Sequence, residues 1–200
     1  MRKILLTILF ASIFFTAFSQ KIAVTSGSID FLKEEKSVMV EFTYENMQVG
    51  SMREADYIKN KVEGYNKKEA GRGDRWYKSW IDDRANRFEP KFIELFNLYM
   101  GEKNGMQISE DEGSYVMLVN THFSEPGFNV GVARKNASVS MTCTFINRET
   151  NGEVASISIT NSSANNFLGT DFDTGFRLQE SYAKAGRELA KFIIKKLKLK

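Results

Sequence analysis

One cysteine, one histidine and two prolines stand in 200 residues, and each scarcity excludes a class of chemistry. A lone Cys143 leaves no internal disulfide, so the fold depends on a packed core. Cys143 alternates with Val139, Met141 and Phe145, the pattern of a buried strand face, and is expected to be a core thiol rather than a nucleophile. Zinc sites and Ser-His or Cys-His relays need a histidine with partners. His122, expected at the end of a strand, has no HxH or HxxE neighbour and is expected to be structural or surface. No glycine pattern after a strand suggests a phosphate-cradling loop. No metal or catalytic constellation and no cofactor is therefore expected, and the ligand-binding residues stay open. The excess of positive charge is also small, at +3.

The one long apolar run lies at the start. "MRKILLTILFASIFFTAFSQ" has basic Arg2 and Lys3, an apolar stretch from Ile4 to Phe18, and small residues Ala17 and Ser19 before Gln20. This is the pattern of a secretory signal with cleavage near Ser19-Gln20. Its apolar stretch is shorter than the roughly 18–20 residues of a spanning helix, and no run that long follows. No cysteine stands directly after the expected cleavage point, which argues against a lipoprotein. Residues 1–19 are thus expected to be a signal peptide and 20–200 a single domain, periplasmic or secreted, with no transmembrane segment once the signal is removed. Losing Arg2 and Lys3 takes the 28 basic residues to 26 against 25 acidic ones. That balance does not suit nucleic acid. The basic "KKLKLK" at the end complements the dipole of a last helix.

Several elements follow from periodicity. Val38, Val40, Phe42 and Tyr44 share one side of a strand, with Glu41 and Thr43 opposite. Ala55, Ile58, Val62 and Tyr65 form a helical stripe, with Ser51 as its expected cap. A second helical region is expected near Asp74, and Pro90 suits the first turn of a third helix. "SYVMLVNTHF", "ASVSMTCTFI" and "EVASISIT" read as strands, the last two joined by the turn "NRETNG". Leu178, Tyr182, Ala185, Leu189 and Ile193 stripe a final helix. "GEKNGMQISEDEGS", "SEPGFNVGVARKN" and "NSSANNFLG" read as loops. The expected fold is α+β, an α/β sandwich: one mixed sheet of four to five strands with helices mainly on one face.

Five motifs suggest chemistry. Asp173-Thr174-Gly175 has the spelling of an aspartic-protease loop, but that chemistry needs two aspartates sharing a proton. Only one such triplet exists, and it opens a helix, so Asp171, Asp173 and Thr174 are expected to cap. Arg72-Gly73-Asp74 spells an integrin-recognition tripeptide, with Asp74 better placed as a cap or in a loop. Glu110, Asp111 and Glu112 lack the alternating spacing of a calcium loop. Asn136 and Asn161 sit in glycosylation sequons that carry little weight in a bacterial export context. Asp82 and Asp83 are adjacent carboxylates in an expected helix, and neighbours on a helix point apart.

The aromatic span Trp76, Tyr77, Trp80, Phe88, Phe92, Phe96 and Tyr99 has two readings. It packs helices on the sheet, or an exposed tryptophan stacks on a sugar or lines a cleft.

The signal ending "FSQ", with "VMVEFTYENMQVG", "GRGDRWYKSW" and "FEPKFIELF", is similar to uncharacterised exported proteins of Bacteroidetes-type bacteria. "YVMLVNTHF", "ASVSMTCTFINRETNGEVASISIT" and "ESYAKAGRELAKFIIKKL" together resemble small α/β envelope modules: the TolB N-terminal domain and curli-secretion-type lipoprotein domains. The turn from Asn147 to Gly152 departs from theirs, being one residue longer and without the usual aspartate. The resemblance implies an interaction or assembly role in the envelope and carries no catalytic residue. The leading expectation is a non-enzymatic binding or assembly module of the cell envelope, its partners envelope proteins or an envelope glycan or lipid. The alternatives are a carboxylate-based glycan hydrolase, or a soluble carbohydrate or lipid carrier using the aromatic-rich 76–99 region. The sequence leaves the oligomeric state open.

Overall fold

The computed structural model describes residues 20–104, 106–109, 111–130, 133–163 and 173–199. The expected signal peptide, Glu110 and Asp171 lie outside the described residues. The strands are β1 (Lys21–Gly27), β2 (Ser37–Thr43), β3 (Gln48–Val49), β4 (Met52–Arg53), β5 (Gln107–Ser109), β6 (Tyr115–Glu125), β7 (Phe128–Val130), β8 (Ala133–Lys135), β9 (Ser138–Asn147) and β10 (Glu153–Ser162). The helices are α1 (Glu54–Asn66), α2 (Arg72–Asp83), α3 (Glu89–Asn104) and α4 (Thr174–Leu197).

Alternation builds the sheet. Val139, Met141, Cys143 and Phe145 of β9 lie opposite Thr121, Val119 and Met117 of β6 and Ile159, Ile157 and Ala155 of β10. All are buried. The residues between them, such as Thr142, Thr144, Leu118 and Ser158, face the other way and are half-buried. β1, β10, β9 and β6 pair antiparallel with one another in that order, whereas β2 pairs parallel with both β6 and β5. Parallel neighbours need a crossover, and α1 to α3 occupy the chain between β2 and β6.

The sheet is mixed, as expected, but has eight strands among the described residues, in the order β1-β10-β9-β6-β2-β5 with β3 and β4 alongside. The expectation of four to five fails because short strands have no readable period. β3 and β4 hold two residues each. β5 sits in a stretch read as loop, and the Asn97 side chain of α3 holds it: its carboxamide donates to the Ile108 carbonyl at 3.0 Å and accepts the Ile108 N–H at 2.6 Å. β7 and β8 form a separate two-stranded arm within "SEPGFNVGVARKN".

α4 lies on the buried side. Leu178, Tyr182, Ala185, Leu189 and Ile193 are all buried, as their spacing predicts. α3 crosses α4 closely at Gly186, where an added Cβ would fall 2.2 Å from the Phe92 carbonyl oxygen. The Tyr182 hydroxyl donates to Thr121 Oγ1 at 2.8 Å, and its ring stacks on Phe88 at 5.0 Å. Burial without a partner would cost that hydroxyl roughly 1–3 kcal/mol.

Three helix boundaries differ from expectation. α1 starts at Glu54, not near Ser51, because the β3–β4 hairpin takes up the chain from Gln48 to Arg53 and is closed by the Met47 carbonyl, which accepts the Glu54 N–H at 2.9 Å. Its inward side is Glu54, Tyr57, Ile58, Lys61, Val62 and Tyr65, with Ala55 exposed. α2 starts at Arg72, so Asp74 lies in its first turn rather than capping it, and Gly71 in the left-handed region precedes it. Pro90 lies in the first turn of α3, as expected, but α3 is not set apart from α2. A π turn, Arg84–Phe88, joins α2 directly to α3. Proline has no N–H to donate, and a widened turn just before it absorbs the missing bond.

Candidate functional site

The aromatic span turns inward. Phe92 and Phe96 are fully buried, Phe88 is 4 % exposed and Trp80 is 7 % exposed. Trp80 donates its indole N–H to Glu54 Oε1 at 2.6 Å, and Arg84 reaches the same oxygen at 2.5 Å. The Arg84 guanidinium lies 4.0 Å above the Tyr44 ring, and the Tyr44 hydroxyl donates to Glu89 Oε1 at 3.0 Å. Half-buried Trp76 packs among Tyr57, Tyr65 and Trp80 at 5.7–5.9 Å. Lys61 and Arg72 cover the Tyr65 ring. Tyr99 is half-buried under Lys191. Tyr77 alone of the seven is exposed, and neither tryptophan stands free to stack on a sugar. A packed interior is the reading that fits.

Among the described residues, two clefts are large enough to matter for binding. The larger, about 600 Å³, lies between the start of α1, the end of β6 and the base of the arm, lined by Met52, Tyr57, Lys61, Phe123, Glu125 and Lys135 among others. Burial raises the Tyr57 phenol to about 12, helped by Tyr65 and Glu125. Glu125 accepts from Lys135 Nζ at 2.6 Å and from the Gly127 N–H at 3.1 Å. Beneath the arm, buried Arg177 of α4 donates to the carbonyls of Pro126 at 3.1 Å and Gly127 at 3.3 Å, and to Thr174 Oγ1 at 3.0 Å. The arm's base is therefore fixed to the core, while its Phe128 and Val130 are 44 % and 69 % exposed.

The smaller cleft, about 500 Å³, lies beside the π turn, with Val40, Phe42, Pro90 and Ile93 as its apolar surface and Glu89 and Glu94 as its acids. Burial lifts the Glu89 carboxyl above its ordinary range, against the Tyr44 hydrogen bond and the Arg84 charge. Glu94 is drawn to Lys91 at 2.6 Å.

The sequence motifs fall elsewhere. Asp173 caps α4, accepting the Gly175 N–H at 2.8 Å. Its other oxygen takes Arg87 Nη1 at 2.8 Å, and Arg87 Nε also meets Asp83 at 3.0 Å. Burial pushes both aspartates up. It prevails at Asp83, whereas hydrogen bonds from Arg87 and the helix N-terminus hold Asp173 below its ordinary value. A guanidinium therefore separates these two carboxylates, and they share no proton.

Asp82 points away from Asp83, to Lys78. Within Arg72-Gly73-Asp74 the glycine is buried, where an added Cβ would fall 2.3 Å from the Val62 carbonyl oxygen. It is the contact between α1 and α2, not a displayed loop. The N–H groups of Asp111 and Glu112 turn back onto Ser109 Oγ. Asn136 follows the arm and Asn161 lies within β10. His122 is half-buried, and burial lowers its pKa. Burial raises the Cys143 thiol to about 12, which keeps it un-ionised at neutral pH. No group of three His, Cys, Asp or Glu side chains suited to a metal occurs among the described residues.

Sequence reasoning missed both Glu89 and the arm. The Phe-Asn-Val alternation between glycines in "PGFNVGV" was the signal available for the arm. Nothing local marks Glu89, whose partner Tyr44 lies far away in the chain.

No family model matches the chain, and no curated protein does either. Among solved structures it is similar to the PelC dodecamer of Paraburkholderia phytofirmans, with TM-score 0.38, 10 % identity, and 83 % of this chain and 96 % of that one covered. A point variant of the same dodecamer gives TM-score 0.35 at 11 % identity, with the same coverage. A Xanthomonas campestris protein assigned to DUF330 gives TM-score 0.36 at 8 % identity, with 81 % and 85 % covered.

Proposed function

We propose that this is an exported, non-enzymatic binding or assembly module of the bacterial cell envelope. The observation that carries the reading is the arm: a rigidly based β-hairpin that holds Phe128 and Val130 together in solvent, whereas the other exposed large apolar side chains among the described residues, Met52, Tyr77 and Leu98, lie one each on β4, α2 and α3. Exposed apolar side chains on a fixed support suit a protein contact. The signal-like N-terminus supports export, and no helix among the described residues is long and apolar enough to cross a membrane. The resemblance of the second half to TolB-type and curli-secretion-type modules belongs to the same reading.

The test is to express the full chain in a Gram-negative host, release the periplasm by osmotic shock, and sequence the N-terminus of the product. A mature form beginning at Gln20 that partitions with envelope fractions supports the reading. Partitioning should be lost when Phe128→Ser and Val130→Ser are combined. Retention in the cytoplasm with Met1 intact, or envelope association indifferent to both changes, would count against it.

A second reading has one observation in its favour. Glu89 is a carboxyl of raised pKa at the edge of an apolar cleft, the environment a general acid needs. A glycan hydrolase also needs a second carboxyl across the bond, and Glu94, the other acid there, is engaged by Lys91. Turnover on a glycan panel that disappears in Glu89→Gln would establish this reading in place of the first.

A further inference from the structure

We propose that the arm of one copy seats in the Phe42–Ile93 cleft of another, so that the chain assembles head to tail with itself. This rests on the assembly reading above and names its partner.

The geometry of the arm is the first argument. Phe128 and Val130 are two apart on β7 and therefore on one side of it. The β7–β8 register sets Lys135 opposite Phe128 and Ala133 opposite Val130. One side of the arm is thus Phe128, Val130 and Ala133 with Lys135, held by Glu125 at 2.6 Å, at its edge, while Arg134 lies on the other side opposite Asn129. From Phe128 to Lys135 the sequence contains no acid.

The cleft is the complement in both respects. Its surface is Val40, Phe42, Pro90 and Ile93, its charged groups are Glu89 and Glu94, and its volume is about 500 Å³. That lies within the range of roughly 300–1,000 Å³ typical of pockets that enclose sizeable apolar groups. The Lys91–Glu94 pair is exposed, and such pairs contribute little that a new contact must displace. An apolar projection edged by Lys135 therefore faces an apolar recess edged by Glu94 of the same chain, and an exchange of partners, Lys135 from Glu125 and Glu94 from Lys91, lets complementary charge set the orientation.

The contact is between copies because Arg177 holds the arm's base to α4, whereas the cleft belongs to β2 and the start of α3. Two different surfaces meeting make a heterologous contact, which closes as a ring or runs on as a filament.

Sedimentation velocity on the exported, purified protein tests this. The wild type is expected to show mass rising with concentration in the micromolar range. Phe128→Ser with Val130→Ser, and separately Glu94→Arg, are each expected to weaken association at least about tenfold while retaining wild-type circular dichroism and melting. The deciding step mixes the two variants. One keeps its cleft and the other its arm, so an equimolar mixture should form a one-to-one pair that grows no further. A pair fails to form if the arms meet each other symmetrically, and that overturns the proposal. A wild type that stays monomeric also overturns it. If envelope association then still depends on Phe128 and Val130, the partner is a different envelope protein and the assembly reading survives. If that association is absent too, both fall.

Discussion

α4 and α1 are both amphipathic by sequence, and the structure treats them differently. Every turn of α4 from Leu178 to Leu197 contributes a buried residue, whereas α1 has none. α4 packs against β9, β10 and α3. α1 is held through rings: Tyr57 and Tyr65 on Trp76, Tyr57 on Trp80, and Lys61 over both tyrosines. Such ring pairs contribute roughly 0.5–1.5 kcal/mol each beyond area burial, less than a buried leucine. The helix–sheet half thus supplies stability, and the side carrying α1, the larger cleft and the arm supplies surface. Amphipathic period alone does not tell a core helix from a peripheral one; the length of the stripe and its freedom from lysine do.

The comparison breaks most severely at Gly186. Gly186→Val puts a side chain where the Phe92 carbonyl lies, and should cost about 3 kcal/mol or more by denaturant titration. Leu189→Ala, a cavity on the same side of α4, should cost roughly 2–5 kcal/mol. Gly73→Ala makes the corresponding clash between α1 and α2. It should cost about 1–3 kcal/mol and change tryptophan fluorescence well before the global transition, because α1 can detach without unfolding the sheet.

Asp173→Ala removes a cap and should cost about 1 kcal/mol at neutral pH. The Asp173 side chain is 56 % exposed, so its pair with Arg87 adds little. Its carboxyl titrates lower folded than unfolded, so this stabilisation is present above the ordinary aspartate value of about 3.9. It is lost as pH falls through the depressed folded value. Thr174, whose hydroxyl serves Arg177 rather than the first turn, is not the cap.

Glu89 has the opposite sign. Its folded carboxyl holds its proton to higher pH, so stability declines as pH rises from the unfolded value of about 4.3 through the raised folded one. Glu89→Gln should flatten that decline in pH-dependent melts. The smallest effect is expected on the arm, where Phe128→Ser should change stability by no more than about 0.5 kcal/mol.

Legibility followed the same division. β9, β10 and α4 were readable because a strict two-residue alternation and a five-turn stripe leave no competing assignment. β1 was missed beside the apolar signal-like segment. β3, β4 and β5 are too short to show a period, and β5 exists because Asn97 satisfies Ile108 from another element. Pro90 suggested a boundary that the π turn from Arg84 to Phe88 bridges. The capping role of Asp173 was readable from residue type and position. Its link through Arg87 to Asp83 was not, since it joins helices far apart in the chain. The clefts were invisible for the same reason: Tyr57 with Glu125, and Phe42 with Ile93, meet only after folding.

Native-state hydrogen exchange, followed by mass spectrometry across α1 and α4 in one sample, tests the division directly. Amides of α4, β9 and β10 should exchange only with the free energy of global unfolding, and those of α1 and the arm through local opening at clearly lower free energy. Equal protection of α1 and α4 would show that the two sides form one cooperative unit and would contradict the account.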